Sequence, residues 1–139
     1  MKKNMKKNKE NYVDGFLLVV PKDKVEEYKK MAEGAKKLWL KHGALSYKEC
    51  MGEDLNPMPP EGMPAEMKPP RSFIEAAGAG SDETVWFSFI VFKSRMHRDE
   101  VNAKVMKDME KEMKDFKDMP MPFDMGRFFY GGFSVEVGD

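Results

Sequence analysis

One segment of the chain, Thr84 to Phe92, constrains the fold more than any other because it is apolar on both of its sides. Successive side chains of a strand point to opposite faces of the sheet. One set here is Val85, Phe87, Phe89 and Val91, and the other is Thr84, Trp86, Ser88, Ile90 and Phe92. A strand with one face in water would alternate apolar with polar residues instead. The pattern therefore predicts a sheet that is covered on both faces.

The other segments predict an α+β domain with the element order βαββαβ and an antiparallel sheet, a split βαβ arrangement. The predicted strands are Asn11–Val20, Ala44–Gly52, Thr84–Phe92 and Arg127–Val137, with a short edge strand at Ser72–Ala76. The two predicted helices carry apolar stripes at spacings of three and four residues. The first helix is predicted to begin at Asp23, which resembles a capping residue, and to end at His42 and Gly43. The second is predicted to run from Arg95 to Phe116, with Ser94 as its capping residue.

Two segments lie outside this pattern. Residues Met1–Glu10 carry five lysines and no apolar stretch, so they predict a disordered basic tail in front of a single domain at residues 11–139. Residues Glu53–Pro70 hold six of the nine prolines, which excludes regular structure there. A loop of this length is usually a lid, a binding loop or a disordered segment.

Composition argues against several classes of function. Lys plus Arg and Asp plus Glu both number 24, and this balance argues against a nucleic-acid binder. The longest apolar run, Phe16–Val20, is too short to span a bilayer, so we predict a cytoplasmic protein with no membrane role. Cys50 is the only cysteine and is predicted to be a small buried residue. With two distant histidines there is no zinc motif, and we expect no metal and no cofactor.

The second face of the sheet predicts a partner. Leaving about six large side chains exposed would forfeit on the order of 10 kcal/mol, which rivals the stability of a whole domain. We expect no segment of the sequence to be left over to form a second layer. We therefore predict a homodimer formed through the sheet face, since two-fold interfaces are the commonest kind.

Four stretches carry a family resemblance. They are VDGFLLVVPKDKVEEYKKMA, HGALSYKEC, ETVWFSFIVFKSRMHRDEVNAKVMKD and MPFDMGRFFYGGFSV, which together span nearly all of Val13–Val137. These stretches resemble the YbaA-like family of small bacterial proteins, a domain of unknown function. The resemblance implies a ferredoxin-like subunit whose sheet pairs with that of a second copy as a dimeric α+β barrel. It implies no established activity and no catalytic residues.

Polar residues within apolar strands are the first candidates for a site, because buried polar groups need partners. They are Asp14, Tyr47, Glu49, Ser88 and Tyr130. If they face the barrel interior, they line a mostly apolar cavity, which is the usual form of a small-molecule pocket. The alternative is that they lie in water at strand ends or bond across the dimer.

The start of the second helix supplies further candidates. His97 and Arg98, with Asn102 one turn on, either hold an anion such as a substrate carboxylate or form a structural network with a strand end. Asp14, Tyr47, His97 and Arg98 are the candidate catalytic residues. His42 is predicted to cap the first helix. Gly131 and Gly132 indicate a bulge or a close backbone approach.

Two functions from different classes are compatible with these features. The first is a dimeric barrel that binds a small apolar or aromatic molecule, with cofactor-free catalysis as an extension of that role. The resemblance places the chain with the dimeric α+β barrel superfamily, which includes cofactor-free monooxygenases. This support for catalysis is an analogy at the level of the fold alone. The second is a non-catalytic interaction or regulatory module that uses the proline-rich loop and the basic tail. A ligand-sized cavity favours the first, and a solidly packed interior favours the second.

Overall fold

The four strands and two long helices occur in the predicted order. The computed structural model describes residues 9–56, 61–64, 66–112 and 121–139. Its elements are β1 (Tyr12–Pro21), α1 (Val25–Lys41), β2 (Ser46–Met51), α2 (Phe73–Ala77), β3 (Glu83–Phe92), α3 (Arg95–Glu112) and β4 (Phe128–Ser134). Most of the predicted tail, and residues 113–116 of the predicted second helix, lie outside the described residues. Within Glu53–Pro70 the described residues form turns and irregular backbone, in agreement with the proline content.

The sheet is antiparallel, with the strand order β2-β3-β1-β4. Its two central strands, β1 and β3, pair along their whole length, so that Gly15 lies opposite Phe89 and Leu18 opposite Trp86. β4 adds to the free edge of β1, and β2 adds to the free edge of β3. The predicted α+β class and the ferredoxin-like βαββαβ order are therefore confirmed.

Two helices cover one face of the sheet, which we call the helix face. At one end, Leu18 and Trp86 pack against Tyr28 and Ala32 of α1. At the other end, the sheet residues Ile90 and Phe92 pack against Val101 and Val105 of α3. Phe92 and Val105 have no exposed surface. These contacts form the main core, and they explain the apolar stripes that the sequence placed on both helices.

The opposite face, which we call the open face, carries large exposed aromatic residues. Phe87 is 49% exposed, Phe129 46% and Phe133 61%, and the rings of Phe87 and Phe89 lie 5.8 Å apart. Cys50 lies on this face opposite Phe87 and is exposed, so the prediction that it is buried is wrong. A cysteine on an edge strand with no helix above it has nothing to pack against. The two apolar sets predicted for β3 do point to opposite faces.

The chain itself covers one end of the open face. Val19 and Val85 are 0% and 3% exposed because Ala77, Ile74 and Leu55 pack over them. The expectation that no segment would cover this face is therefore wrong at that end. The covering segments are α2 and the irregular stretch that holds Leu55.

The sequence placed a short strand where α2 forms. The Ser72 hydroxyl accepts a hydrogen bond from the backbone N–H of Glu75 at 3.1 Å, which caps the helix start. Gly78 ends the helix in the left-handed region at φ 70°. A serine three residues before a glutamate, with a glycine after the last turn, is a recognisable helix signature. Five residues were too few to show a helical period.

The ends of the long helices agree with the sequence in part. The Ser94 hydroxyl accepts from the backbone N–H of His97 at 3.0 Å, and Gly43 has φ 112°, as predicted. Asp23 does not cap α1, because residues Lys22–Lys24 form a 3-10 turn and no side chain caps the start. The imidazole Nε2 of His42 lies 2.6 Å from a carboxylate oxygen of Asp108. The imidazole of His42 therefore joins α1 to α3, while its backbone N–H caps α1 by donating to the carbonyl of Leu38 at 3.3 Å.

The Gly78→Ala substitution tests whether α2 needs its glycine. The left-handed backbone disfavours a Cβ atom, while the nearest atom to that Cβ would be Arg127 Cδ at 3.9 Å, so the cost is conformational. We expect the free energy of unfolding to fall by about 1 kcal/mol. The matched control is Gly34→Ala in α1, where a Cβ meets nothing within 4 Å. That variant should gain up to about 1 kcal/mol. Urea unfolding measures the change in the free energy of unfolding for both variants. Changes of the same sign would contradict a left-handed backbone at Gly78.

Candidate functional site

The polar residues of the strands lie on the helix face, where they form two clusters. The Glu49 cluster consists of Tyr28, Tyr47, Glu49 and Ser88. The Arg98 cluster consists of Tyr12, Asp14, Arg98, Asn102 and Tyr130. The possibility that these residues point to the open face is thereby excluded. They cannot line a space between two sheets that pair through that face.

In the Glu49 cluster, three hydroxyl groups converge on one carboxylate. Tyr28 donates to Oε1 of Glu49 at 2.7 Å, and Tyr47 donates to Oε2 at 2.7 Å. Ser88, which is 3% exposed, also donates to Oε1. Hydrogen bonds with an ionised acceptor are about twice as strong as neutral ones. The carboxylate is thus held in one orientation by three donors.

The fold brings these four residues together from three elements. Tyr47 and Glu49 are two residues apart on β2 and therefore share a face. Glu49 lies directly opposite Ser88 in the register between β2 and β3. Tyr28 reaches the carboxylate from α1, and its ring packs edge-on against Trp86 at 4.8 Å.

The phenols of the cluster are strongly biased toward their protonated forms. Burial raises the pKa of Tyr28 and of Tyr47 well above the ordinary tyrosine value, and the negative charge of Glu49 raises both pKa values further. Both groups therefore act as hydrogen-bond donors throughout the physiological range. They are unsuited to serve as general bases there.

A groove of about 450 Å³ lies beside this cluster, between α1 and the edge strand β2. Its inner wall is formed by Ala32, Tyr47 and Trp86, with Glu49 among them, and Met51 lies at its exposed edge. Its rim on α1 consists of Glu26, Lys29, Lys30, Glu33 and Lys36. The groove therefore combines an apolar and aromatic inner wall, which holds one carboxylate, with a charged rim.

The Arg98 cluster is built around a buried ion pair. Asp14 is 1% exposed, and one of its carboxylate oxygens lies 2.7 Å from Nη1 of Arg98. The same Nη1 donates to the Tyr130 hydroxyl at 2.6 Å, and the guanidinium lies 5.0 Å from the centre of the Tyr12 ring. Arg98 also pairs with Asp99 at 2.8 Å. The cluster ties the first turn of α3 to the two strands β1 and β4.

A glycine makes room for the ring of Tyr12. A Cβ atom on Gly132 would lie 2.9 Å from two carbons of that ring. The sequence predicted either a bulge or a close approach at Gly131 and Gly132. The pairing with β1 continues through both residues, so the close approach is correct.

Asp14 sits in an environment that disfavours its charge. Burial raises the pKa of this carboxyl above its ordinary value, while the charge of Arg98 and hydrogen bonds from Tyr130, Asn102 and Arg98 oppose the rise. Trp39 Nε1 donates to Oδ1 of Asn102 at 3.0 Å, which holds the amide in place. Every buried side-chain nitrogen and oxygen atom in the described residues has a hydrogen-bond partner.

His97 takes part in neither cluster. Its Nδ1 accepts a hydrogen bond from the backbone N–H of Lys93 at 2.9 Å, and its ring lies edge-on to Phe92. Burial, together with the nearby charge of Lys93, lowers the pKa of His97. The imidazole therefore connects the end of β3 with the start of α3.

The four candidate catalytic residues thus occupy three places. Asp14 and Arg98 are in direct contact, Tyr47 belongs to the Glu49 cluster, and His97 stands apart. The sequence pattern singled out Glu49 and Ser88 as polar residues within apolar strands. It assigned Tyr28 to the apolar stripe of the first helix and Trp86 to an apolar set of β3, so neither was a candidate site residue. A buried tyrosine usually bonds its hydroxyl to a partner, and this was the available indication for Tyr28.

The described residues contain neither a candidate metal site nor a helix that could span a membrane. No group of three or more His, Cys, Asp or Glu side chains in that part of the chain could hold a metal ion. No helix there is long and apolar enough to cross a membrane. The methionines that precede β4, Met121 and Met125, are 41% and 65% exposed, so neither is buried in the core.

The Arg98→Met substitution tests the ion pair. It leaves the Asp14 carboxylate buried without its cation, and we expect a loss of about 3 kcal/mol in the free energy of unfolding at neutral pH. Without Arg98 the folded-state pKa of Asp14 rises further, so protonation of the folded form offsets part of this loss in acid. The deficit relative to wild type should therefore shrink as pH falls toward the ordinary aspartate pKa.

The control is Asp99→Asn, which removes the exposed partner of the same arginine. The side chain of Asp99 is 61% exposed, so the expected cost is below about 1 kcal/mol. Chemical denaturation at neutral and acidic pH measures all three proteins. An Arg98→Met deficit that stays constant with pH would show that Asp14 is not the group involved.

The comparisons with known proteins identify the family. The model of the family described as "Protein of unknown function (DUF1428)" matches residues 11–125. The chain is 40% identical over 128 residues to "Uncharacterized protein YbaA" of Escherichia coli strain K12, which covers 92% of this chain and 98% of that protein. The proteins of the same name from Escherichia coli O157:H7 and Shigella flexneri match equally well. This chain therefore belongs to the DUF1428 family.

Proposed function

We propose that the protein is a homodimer, paired through its open face, that binds a small apolar or aromatic molecule in the groove between α1 and β2. The groove beside the Glu49 cluster is the observation that carries the binding role. Pairing through the open face leaves this groove accessible, because the groove lies on the helix face of each subunit.

The size and lining of the groove support a small ligand. Its volume of about 450 Å³ falls within the range of roughly 300–1,000 Å³ that is usual for ligand pockets. Tyr47, Met51 and Trp86 offer apolar and aromatic contact, and Glu49 offers a fixed polar group. A mostly apolar wall with one or two convergent polar groups is the common composition of such sites.

The open face supports self-association. Three half-exposed phenylalanines lie on the same side of the sheet, Phe87 on β3 and Phe129 and Phe133 on β4, and Leu17 of the intervening β1 lies between Phe87 and Phe129. A contiguous apolar surface of this kind usually marks an interface on a soluble domain. A second copy presents the same surface, and a two-fold axis lets the patch cover itself.

The dimer is tested with Phe87→Asp. Phe87 is 49% exposed in one subunit, so the substitution leaves the core intact but places a charge in the proposed interface. We expect wild type to have twice the 16.0 kDa chain mass and the variant to be a monomer or to form a much weaker dimer. The control is Met106→Asp on α3, because Met106 is 50% exposed.

Sedimentation velocity gives the masses, and circular dichroism checks that each variant is folded. A folded wild-type monomer at micromolar concentration would refute the proposed dimer. So would a Phe87→Asp variant that dimerises as tightly as Met106→Asp.

The binding role is tested with small neutral aromatic probes, benzyl alcohol and indole. Each should shift the indole N–H resonance of Trp86 in a nitrogen-15 correlation spectrum at millimolar concentration, and shift that of Trp39 less. Met51→Trp narrows the groove from its exposed edge, since Met51 is 49% exposed, and should weaken binding several-fold. Met96→Trp, at a residue 72% exposed on α3, is the control and should bind like wild type. Equal weakening in both variants would place the binding elsewhere.

A further inference from the structure

The surroundings of Glu49 differ from those of the other buried or half-buried acidic groups. Asp14 is paired with Arg98, Glu83 with Arg127 and Asp108 with His42 and Lys41. Glu49 appears in none of the ion pairs formed among the described residues, and its contacts are three neutral hydroxyl groups. Charges removed from water are normally paired with an opposite charge, so this site lacks a cation that the other sites have.

The hydrogen bonds leave room for one more donor. An ionised carboxylate has about four acceptor positions, two on each oxygen. Oε1 accepts from both Tyr28 and Ser88, and Oε2 accepts from Tyr47. One position on Oε2 therefore remains after the bonds among the described residues are counted. Since Glu49 lines the groove, a donor that fills this position can come from a bound molecule.

The aromatic residues of the groove favour the same kind of donor. The faces of Trp and Tyr rings attract cations through their quadrupoles, most strongly where water is excluded. Tyr47 and Trp86 line the groove on either side of Glu49 in the sheet, one from β2 and one from β3. A carboxylate flanked by aromatic side chains is suited to a positively charged group with an apolar body.

Four of the five charged residues on the rim of the groove form ion pairs with each other. Lys29 pairs with Glu26 at 3.6 Å, and Lys36 pairs with Glu33 at 3.1 Å. These pairs lie along the exposed surface of α1, so their charges largely cancel near the entrance. The fifth charged rim residue, Lys30, forms no ion pair among the described residues and is exposed to water, whereas Glu49 is the charged group in the inner wall.

We propose that the groove binds an organic cation, an amine or amidine with a flat apolar body, whose N–H group donates to Oε2 of Glu49. This inference rests on the proposed function, because it assumes that the groove is the binding site. It adds the charge of the ligand and the atom that recognises it.

The probes are three molecules of similar shape and different charge: benzamidinium, benzamide and benzoate. Isothermal titration calorimetry gives the affinities, and the Trp86 indole N–H resonance reports the location. Benzamidinium should bind wild type roughly 10- to 100-fold more tightly than benzamide, and benzoate should bind most weakly. In Glu49→Gln the preference for benzamidinium over benzamide should disappear. Glu33→Gln removes the same charge from the rim and should keep the preference.

A second variant guards against misfolding of Glu49→Gln. Tyr47→Phe keeps the ring but removes the hydroxyl that donates to Oε2, which frees a second acceptor position on that atom. We expect benzamidinium to bind this variant as tightly as wild type or more tightly. Binding lost in Tyr47→Phe, with the fold intact, would overturn the assignment of Oε2.

The outcomes separate the two proposals. If benzamide and benzamidinium bind equally well and both shift Trp86, the groove is a ligand site but the cation is refuted. If none of the aromatic probes, charged or neutral, shifts Trp86 at millimolar concentration, the proposed binding role fails together with this inference.

Discussion

A sheet with large apolar side chains on both faces needs two covering layers, and the rest of this structure follows from how the chain meets that need. The helices α1 and α3 cover most of one face, so that Phe92 and Val105 are inaccessible to water, and its β4 edge, with Phe128 and Tyr130, stays exposed. The second face receives the short α2 and Leu55, which cover Val19 and Val85. The half-exposed phenylalanines beyond α2 carry apolar area whose burial is worth about 1–2 kcal/mol for each ring. This unequal coverage separates two surfaces with different chemistry, an aromatic face suited to another protein surface and a helix face that contains the Glu49 and Arg98 clusters.

The polar groups on the helix face are arranged by the same strand geometry as the core. Two-residue spacing places Tyr47 beside Glu49, and strand pairing places Ser88 opposite it. Asp14 is enclosed in the same layer but is neutralised by Arg98 from α3. The two carboxylates thus have similar positions and different environments, one satisfied by a guanidinium and the other by hydroxyl groups. A structural role fits Asp14, whereas the environment of Glu49 fits a bound molecule that can dissociate.

The sequence was most informative where many residues repeat one pattern. The helical period of α1 and the two apolar sets of β3 predicted the bounds of these elements to within a residue or two. Each of these patterns rests on at least four apolar residues at regular spacing. It failed at α2, where five residues are too few for a period and the cap signature alone distinguishes a helix. It could not assign Asp14 and Ser88 to a face, since alternation relates positions to each other without saying which set meets the helices. The contacts between Arg98 and Asp14, or Tyr28 and Glu49, join residues 84 and 21 positions apart, and no local pattern encodes such distances.

The position of α2 has a geometric consequence for anything that docks on the sheet. Ala77 and Ile74 rise above the plane of the strands at the end that holds Val19 and Val85. An approaching layer cannot slide past this step, so it must settle over the part of the sheet that contains Gly15 and the ring of Phe133 lying against it. In a dimer formed through the open face, as proposed above, this five-residue helix would limit the translation of the second sheet along the strands. Strand pairing alone, with its uniform repeat, would leave that translation undetermined.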